Sequence, residues 1–216
     1  IEEVLISGVR AKEKSPITFT NVSKAQIAPR NLGQDIPILL NYLPSVVTST
    51  DAGAGIGYTS MRVRGSDGSR INVTLNGVPF NDSESQGTYF VNLPDFASSL
   101  ESIQLQRGVG TSTSGAGAFG ASLNLQTKAS QQNGYAEIAN SLGSFGTRKH
   151  TLVFGTGLHH NFEMNARISK IESGGYIDRA SSNMFGYFFN ANYVRETTLI
   201  KLLAFGGKEK TYQAWN

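Results

Sequence analysis

The chain has 216 residues, a formal net charge of +3, 16% charged residues, 24 glycines and no cysteine. Acids and bases are spread along it with no dense Lys/Arg block, which argues against a nucleic-acid partner, and the lack of cysteine excludes a disulfide framework or a thiolate metal site. No run of about 18 apolar residues occurs, so a spanning helix is excluded and a barrel is the only way for this chain to cross a bilayer.

The first residues, Ile1-Glu2-Glu3-Val4, lack the basic and apolar regions of a signal peptide, so any export signal is expected to be already absent from this sequence. Val4 to Val9 reads as an extended apolar segment. Ser23 followed by Gln26 resembles a capping box, and Gln34 to Tyr42 reads as a second helix stopped by Pro44. Ser60 to Arg64 is a candidate strand. Ile71 to Leu75, Asn76-Gly77 and Val78-Pro79-Phe80 form a predicted hairpin with the residue pair that a type I′ turn prefers. Pro94 and Asp95 open one more helical turn before a strand at Ser102 to Arg107. This mixture predicts an α+β domain with a small mixed sheet and short helices.

A polar stretch at Ala129 to Asn133 marks the predicted domain boundary, with residues 1–128 before it and 134–216 after it. Beyond it the signal has period two. Phe162, Met164, Ala166 and Ile168 alternate with Glu163, Asn165, Arg167 and Ser169, and Phe185, Tyr187, Phe189, Ala191 and Tyr193 with Gly186, Phe188, Asn190 and Asn192, Phe188 being a misfit. Gly134 to Leu142, Arg148 to Gly157 and Thr198 to Lys208 alternate less cleanly, and Lys201 shares its face with Leu203 and Phe205. About five such segments, with the long connection Gly174 to Asn183 between shorter ones, suit antiparallel strands of a transmembrane barrel. A soluble sandwich would show the same alternation.

Several motifs, in order, resemble the TonB-dependent receptors. Arg62-Val63-Arg64-Gly65 is similar to the family's "IRG", Val73 to Pro79 to its "vliDGvp" hairpin, and Ser102 to Lys128 to "iEvlrGp…ygsgaigGvinI.tk". Ile36 to Val46 resembles "lLr.lPGV" with Ser45 where glycine is usual, Asn76 replaces the common Asp, and Ser173 to Asp178 resembles an early barrel-loop motif. The resemblance implies a plug domain followed by the first strands of an incomplete transmembrane β-barrel, of about 22 strands in this family. It implies energised import of a large scarce nutrient such as a ferric siderophore, haem, a cobalamin or a glycan. The partners would be TonB with its inner-membrane energising complex, outer-membrane lipid and the nutrient ligand. The location would be the outer membrane, with the N-terminus reachable from the periplasm. No catalytic constellation or cofactor is expected. A soluble carbohydrate-binding or adhesive β-protein is the alternative.

Glu3, Val4, Leu5, Ile6 and Ser7 are the expected TonB box, because an unpaired alternating strand at a free end can add to another protein's sheet; an edge strand of the plug is the plainer reading. The implied ligand loops are Thr48 to Thr59 and Phe80 to Phe90, with Asp51, Tyr58, Asn81, Asp82, Glu84, Gln86 and Tyr89 as polar contributors. Arg64 and Arg107 fall on family arginines that pair with barrel acids. Arg167, costly on a lipid face, implies that the Phe162 to Ile168 stripe faces outward. Two signals are discounted. Gly115, Gly117 and Gly120 make a G-x-G-x-x-G, but a strand follows instead of a helix, and His159-His160 falls in a predicted periplasmic turn.

Overall fold

The computed structural model describes residues 9–110 and 118–211. The N-terminal part is a five-stranded mixed sheet in the order β1 (Thr18–Ser23), β6 (Leu100–Arg107), β7 (Ala121–Thr127), β4 (Ile71–Leu75), β5 (Val78–Pro79), with β4 and β7 parallel and the other pairs antiparallel. Two more strands, β2 (Val46–Thr50) and β3 (Thr59–Val63), form a separate hairpin. The central strands β6 and β7 carry Ile103, Leu105, Leu123 and Leu125 into a core shared with Leu40, Phe90 and Phe96.

Local chemistry sets the element ends. The Ser23 N–H donates to the Gln26 side chain (2.9 Å), one arm of the capping box that opens helix α1 (Lys24–Ile27). Helix α2 is only Ile36–Leu39, shorter than the predicted Gln34 to Tyr42. Asp35 precedes it and Pro37 sits in its first turn, while the chain turns away at Leu40 before Pro44. Strand β3 stops at Val63 because Arg64 turns left-handed, at φ 51°. Asn76 (φ 50°) and Gly77 (φ 82°) make the expected hairpin turn, and Asn76 also binds β7 by accepting from the Thr127 N–H (3.0 Å). Strands β1 and β2 carry no clean periodic signal, because Phe19 shares a side of β1 with Asn21 and Ser23, and β2 leaves Val47 exposed while Thr48 and Thr50 share the side of the buried Val46.

Residues 128–134 lead to a second sheet of five antiparallel strands in sequence order, β8 (Tyr135–Leu142), β9 (Arg148–Gly155), β10 (Phe162–Ser173), β11 (Ser182–Arg195) and β12 (Thr198–Thr211). It is a wall wrapped against the plug and open at β8 and β12 among the described residues. The predicted faces hold: Glu163, Asn165, Arg167 and Ser169 are buried towards the plug, and Phe162, Met164 and Ile168 are exposed on the outside. A sandwich would bury that stripe on another sheet. The misfit Phe188 has a partner, since it points inward and meets Phe96 of the plug edge-on at 5.7 Å. Phe205 of β12, also inward, meets Phe96 at 5.0 Å and Phe80 at 5.9 Å, so the Lys201–Leu203–Phe205 face is the plug face. A smaller interface cluster joins Ile56 and Val91 of the plug to Ile171 and Met184 of the wall.

Candidate functional site

One end of the molecule, here called apical, gathers the loop 51–58, the wall connections 144–146 and 174–181, and the loop 80–90. The Ala52 carbonyl accepts from the Tyr176 N–H (2.9 Å), and the Tyr176 ring lies against Gly53, where an added Cβ would come within 2.9 Å of it. Tyr176 remains 69% exposed and meets Phe145 at 5.4 Å. Tyr58 and Tyr89, in the loops 51–58 and 80–90, are likewise exposed, as are Asp51 and Glu84.

The predicted ligand residues divide by what their polar atoms already do. Asn81 accepts from the Val73 N–H (2.7 Å) and donates to the carbonyls of Ile71 (2.9 Å) and Gln86 (2.8 Å), so it braces the loop. Asp82 accepts from the Ser85 N–H (2.7 Å) and hydroxyl (2.8 Å), and Gln86 closes that turn at φ 59°. Asp51, Tyr58, Glu84 and Tyr89 present side chains to the open apical surface.

Beneath the loop 51–58 lies Asp35, which is buried and whose carboxylate accepts from the Gly57 N–H (3.1 Å) and the Thr59 hydroxyl (2.9 Å). Burial drives its pKa from 3.8 to about 8, and the two hydrogen bonds offset this only in part. A carboxyl raised in the folded state stabilises it fully below the unfolded pKa, and that contribution is lost as pH rises through about 8. The urea midpoint of the full-length receptor should therefore fall as pH rises from the unfolded pKa of 3.8 towards about 8, with a slope approaching about 1.4 kcal/mol per pH unit between the two values, and level off above about 8. Asp35→Asn should flatten that limb, and an unchanged pH profile in the variant would count against the assignment.

The plug meets the wall through a knuckle at Pro94-Asp95. Asp95 is left-handed (φ 52°) and its side chain is fully buried. Its carboxylate pairs with Lys149 of β9 at 2.7 Å and with Arg167 of β10 at 3.5 Å, and accepts from the hydroxyls of Thr151 and Ser98, both at 2.6 Å. Arg167 also donates to the carbonyls of Pro94 (3.2 Å) and Asp95. Lys149 donates to the Asn31 carbonyl (3.1 Å). Burial pushes the Asp95 pKa up, but the two cations, Lys149 before Arg167, outweigh it and hold the group below the usual carboxylate range.

Pro94 is admitted by a glycine pair. Gly186 of β11 and Gly207 of β12 are register partners, and a Cβ on Gly186 would lie 2.7 Å from the Pro94 carbonyl oxygen. Gly186→Val should consequently push the knuckle off the wall and destabilise docking by about 1–3 kcal/mol, the cost of overpacking. Urea denaturation of the full-length receptor measures it, and a wild-type midpoint would show that the notch is not a seat.

Elsewhere, Arg107 is buried with its guanidinium donating to the Pro44 carbonyl (2.9 Å) and the Thr20 hydroxyl (2.8 Å), while the exposed Arg64 reaches the Arg107 carbonyl at 3.5 Å. Burial, and then Arg64, lower the Arg107 pKa, and no carboxylate pairs with either arginine among the described residues. Residues Glu3 to Ser7, and Gly115 and Gly117, lie outside the described residues. Gly120 packs against Ser66 and is followed by strand β7. His159 and His160 form a tight turn at the basal end, between β9 and β10. Glu163 faces inward and ties down the interdomain segment, accepting from the Ser130 hydroxyl and the Gln131 N–H (2.8 Å).

Sequence reasoning placed Arg167 on the inner face but did not find Asp95 or Lys149 as its partners. Lys149 alternates with Thr151 and Val153 on the inward side of β9, and an inward cation requires a counter-ion. The partner stands 54 residues away from Lys149 and 72 from Arg167, a pairing that no local pattern encodes.

Comparison with known proteins places these features. A family profile described as TonB-dependent Receptor Plug Domain matches residues 11–122. The chain is 24% identical over 177 residues to the vitamin B12 transporter BtuB of Vibrio cholerae, covering 81% of this chain and 28% of that protein. The chain thus spans under a third of the length of this curated relative. Among solved structures, it superposes on the copper transporter OprC with a TM-score of 0.76 at 16% identity, covering 94% of this chain and 33% of the other. It superposes on the ferric yersiniabactin uptake receptor FyuA from Yersinia pestis with a TM-score of 0.71 at 12% identity, covering 95% and 33%.

Proposed function

This chain belongs to the TonB-dependent receptor plug family of the bacterial outer membrane, and from that premise we propose that it forms the plug and the first wall strands of an active importer. The apical end faces outward and receives a large scarce nutrient: a ferric siderophore, haem, a cobalamin or a glycan. The basal end faces the periplasm, where Glu3 to Ser7 add as a strand to TonB, itself driven by the inner-membrane complex. The wall is completed by further strands to about 22, the number for transporters of this kind. One observation carries this reading: a folded stopper is seated by a buried ion cluster inside a wall whose outer face is apolar.

Within that reading Asp51, Tyr58, Glu84, Gln86 and Tyr89 meet the ligand from the plug, with Asn81 and Asp82 shaping the loop that presents them. Arg64 and Arg107 pair with acids of wall strands beyond β12: Arg107 because a buried guanidinium without a counter-charge is costly, and the exposed Arg64 because it reaches the Arg107 carbonyl and stands beside it. Growth of a strain lacking the full-length gene on each nutrient class as sole source tests the proposal. Loss of growth on one class, restored by the gene and abolished by an uncoupler, is the expected result. Undiminished uptake on all of them would overturn it.

A further inference from the structure

The strand register sorts the outward side chains of the wall into rows that cross all five strands. The four lower rows hold no charge: they run from Phe162, Tyr193 and Ile200 up to Ile138, Leu152, Ile168, Tyr187 and Gly206. They extend ~20 Å along β10, most of the height of a lipid-facing band. Immediately above, towards the apical end, the pattern changes in one step. The next row is Asn140, His150, Lys170, Phe185 and Lys208, and the row above it is Leu142, Arg148, Glu172, Asn183 and Lys210. Arg148, Lys208 and Lys210 are exposed, and Lys170 is half-exposed. The single acid, Glu172, meets Lys170 at 3.6 Å with the two side chains 47% and 41% exposed, a pairing too solvated to neutralise the patch.

The plug has no access to these side chains, which stand on the opposite face of the sheet from the Asp95 cluster. Their position at the upper edge of the apolar band decides what they can meet. A lipid leaflet whose tails cover the lower rows puts its head groups at this height, and a cluster of lysine and arginine attracts anionic head groups at about 1 kcal/mol per side chain. Arg148 supplies a planar fork suited to phosphate oxygens, and the three lysines supply point charges around it. On adjacent strands spaced about 4.8 Å apart, the cations span a width of ~15 Å, enough for a head group bearing two phosphates.

We propose that Arg148, Lys170, Lys208 and Lys210 form a binding belt for phosphorylated lipid head groups of the leaflet that borders the apical rim. The belt rests on the outward orientation of the apical end given above. That orientation is tested separately, by labelling Phe145→Cys of the full-length receptor in intact cells with a membrane-impermeant maleimide, read against the receptor without the substitution; these 216 residues contribute no cysteine of their own.

The belt itself is read by native mass spectrometry of the full-length receptor in a non-ionic detergent, with lipid A carrying two phosphates, the same lipid dephosphorylated, and inorganic phosphate as probes. Binding of the doubly phosphorylated lipid should weaken about five-fold for each basic side chain replaced by glutamine across Arg148, Lys170, Lys208 and Lys210. The charge-conserving set K170R, K208R and K210R should retain it. Equal binding of the dephosphorylated lipid, or full occupancy in the quadruple glutamine variant, would overturn the proposal. Displacement of the lipid by inorganic phosphate alone would do so as well, by showing a simple anion site. Should the quadruple variant not assemble, K208Q and K210Q, both on exposed side chains of β12, give the same graded comparison.

Discussion

Replacing Asp95 with alanine is expected to cost about 3–5 kcal/mol of plug docking, the penalty of leaving buried charges without their partner. Two cations lose their shared anion at once, since Lys149 and Arg167 are each at most 3% exposed and have no other carboxylate among the described ion pairs. Thr151 and Ser98 also lose their acceptor. The urea midpoint of the full-length receptor should drop accordingly, and cells carrying the variant should become leaky to large hydrophilic antibiotics as the stopper loosens. Burial of a charged cluster is a weak source of net stability, so an apolar replacement discriminates. Asp95→Leu combined with Lys149→Met and Arg167→Met should recover most of the loss. A single Asp95→Ala variant with wild-type resistance to urea would show that the knuckle does not fasten plug to wall.

Leu5→Pro is the second large effect, and it should abolish uptake while leaving nutrient binding at the apical surface intact. Proline removes a main-chain donor and fixes φ, which an added strand cannot tolerate in the middle of its ladder. Because TonB recognition by strand addition relies on main-chain groups, Leu5→Ala should retain far more transport than Leu5→Pro. Equal transport by the proline variant and the unmodified receptor would refute the strand-addition role of residues 3–7. Loss of both binding and uptake would instead show that the segment belongs to the fold.

How much of this could be read from residues alone follows from the range of each interaction. The β4–β5 hairpin was legible because Asn76 and Gly77 encode their turn within four residues. The inside and outside of β10 were legible because alternation is a local property and Arg167 fixes its sign. The rest of the wall face depended on partners elsewhere. Phe188 broke its strand's pattern because it packs on Phe96, and the fault in the pattern marked the contact. Pro94 and Asp95 predict the start of a helical turn, and a short 3-10 turn does follow at Phe96–Ser99, but Asp95 itself is left-handed and turned to the wall. Of the ligand-loop residues, sequence identified the loops and their polarity. Whether Asn81 points at solvent or at its own backbone is decided by hydrogen bonds to Ile71 and Val73 across a hairpin, which composition does not report.

The way the leading segment is fastened bears on how a tug would travel. Val9 and Ala11 are held to β6 by side-chain amides in place of a main-chain ladder: Gln106 donates to the Val9 carbonyl (2.8 Å), Gln104 donates to the Ala11 carbonyl (3.0 Å) and accepts its N–H (2.7 Å), and Arg10 reaches Gln126 at 2.6 Å. Such fasteners yield one after another, like stitches, so a modest force unpicks them without shearing a whole strand. What they attach to is the second strand of five, and five residues before that strand begins stands Asp95. Tension applied at the leader would thereby be delivered to the strand that follows the Pro94-Asp95 knuckle, close to the buried ion cluster that helps to seat the stopper in the wall.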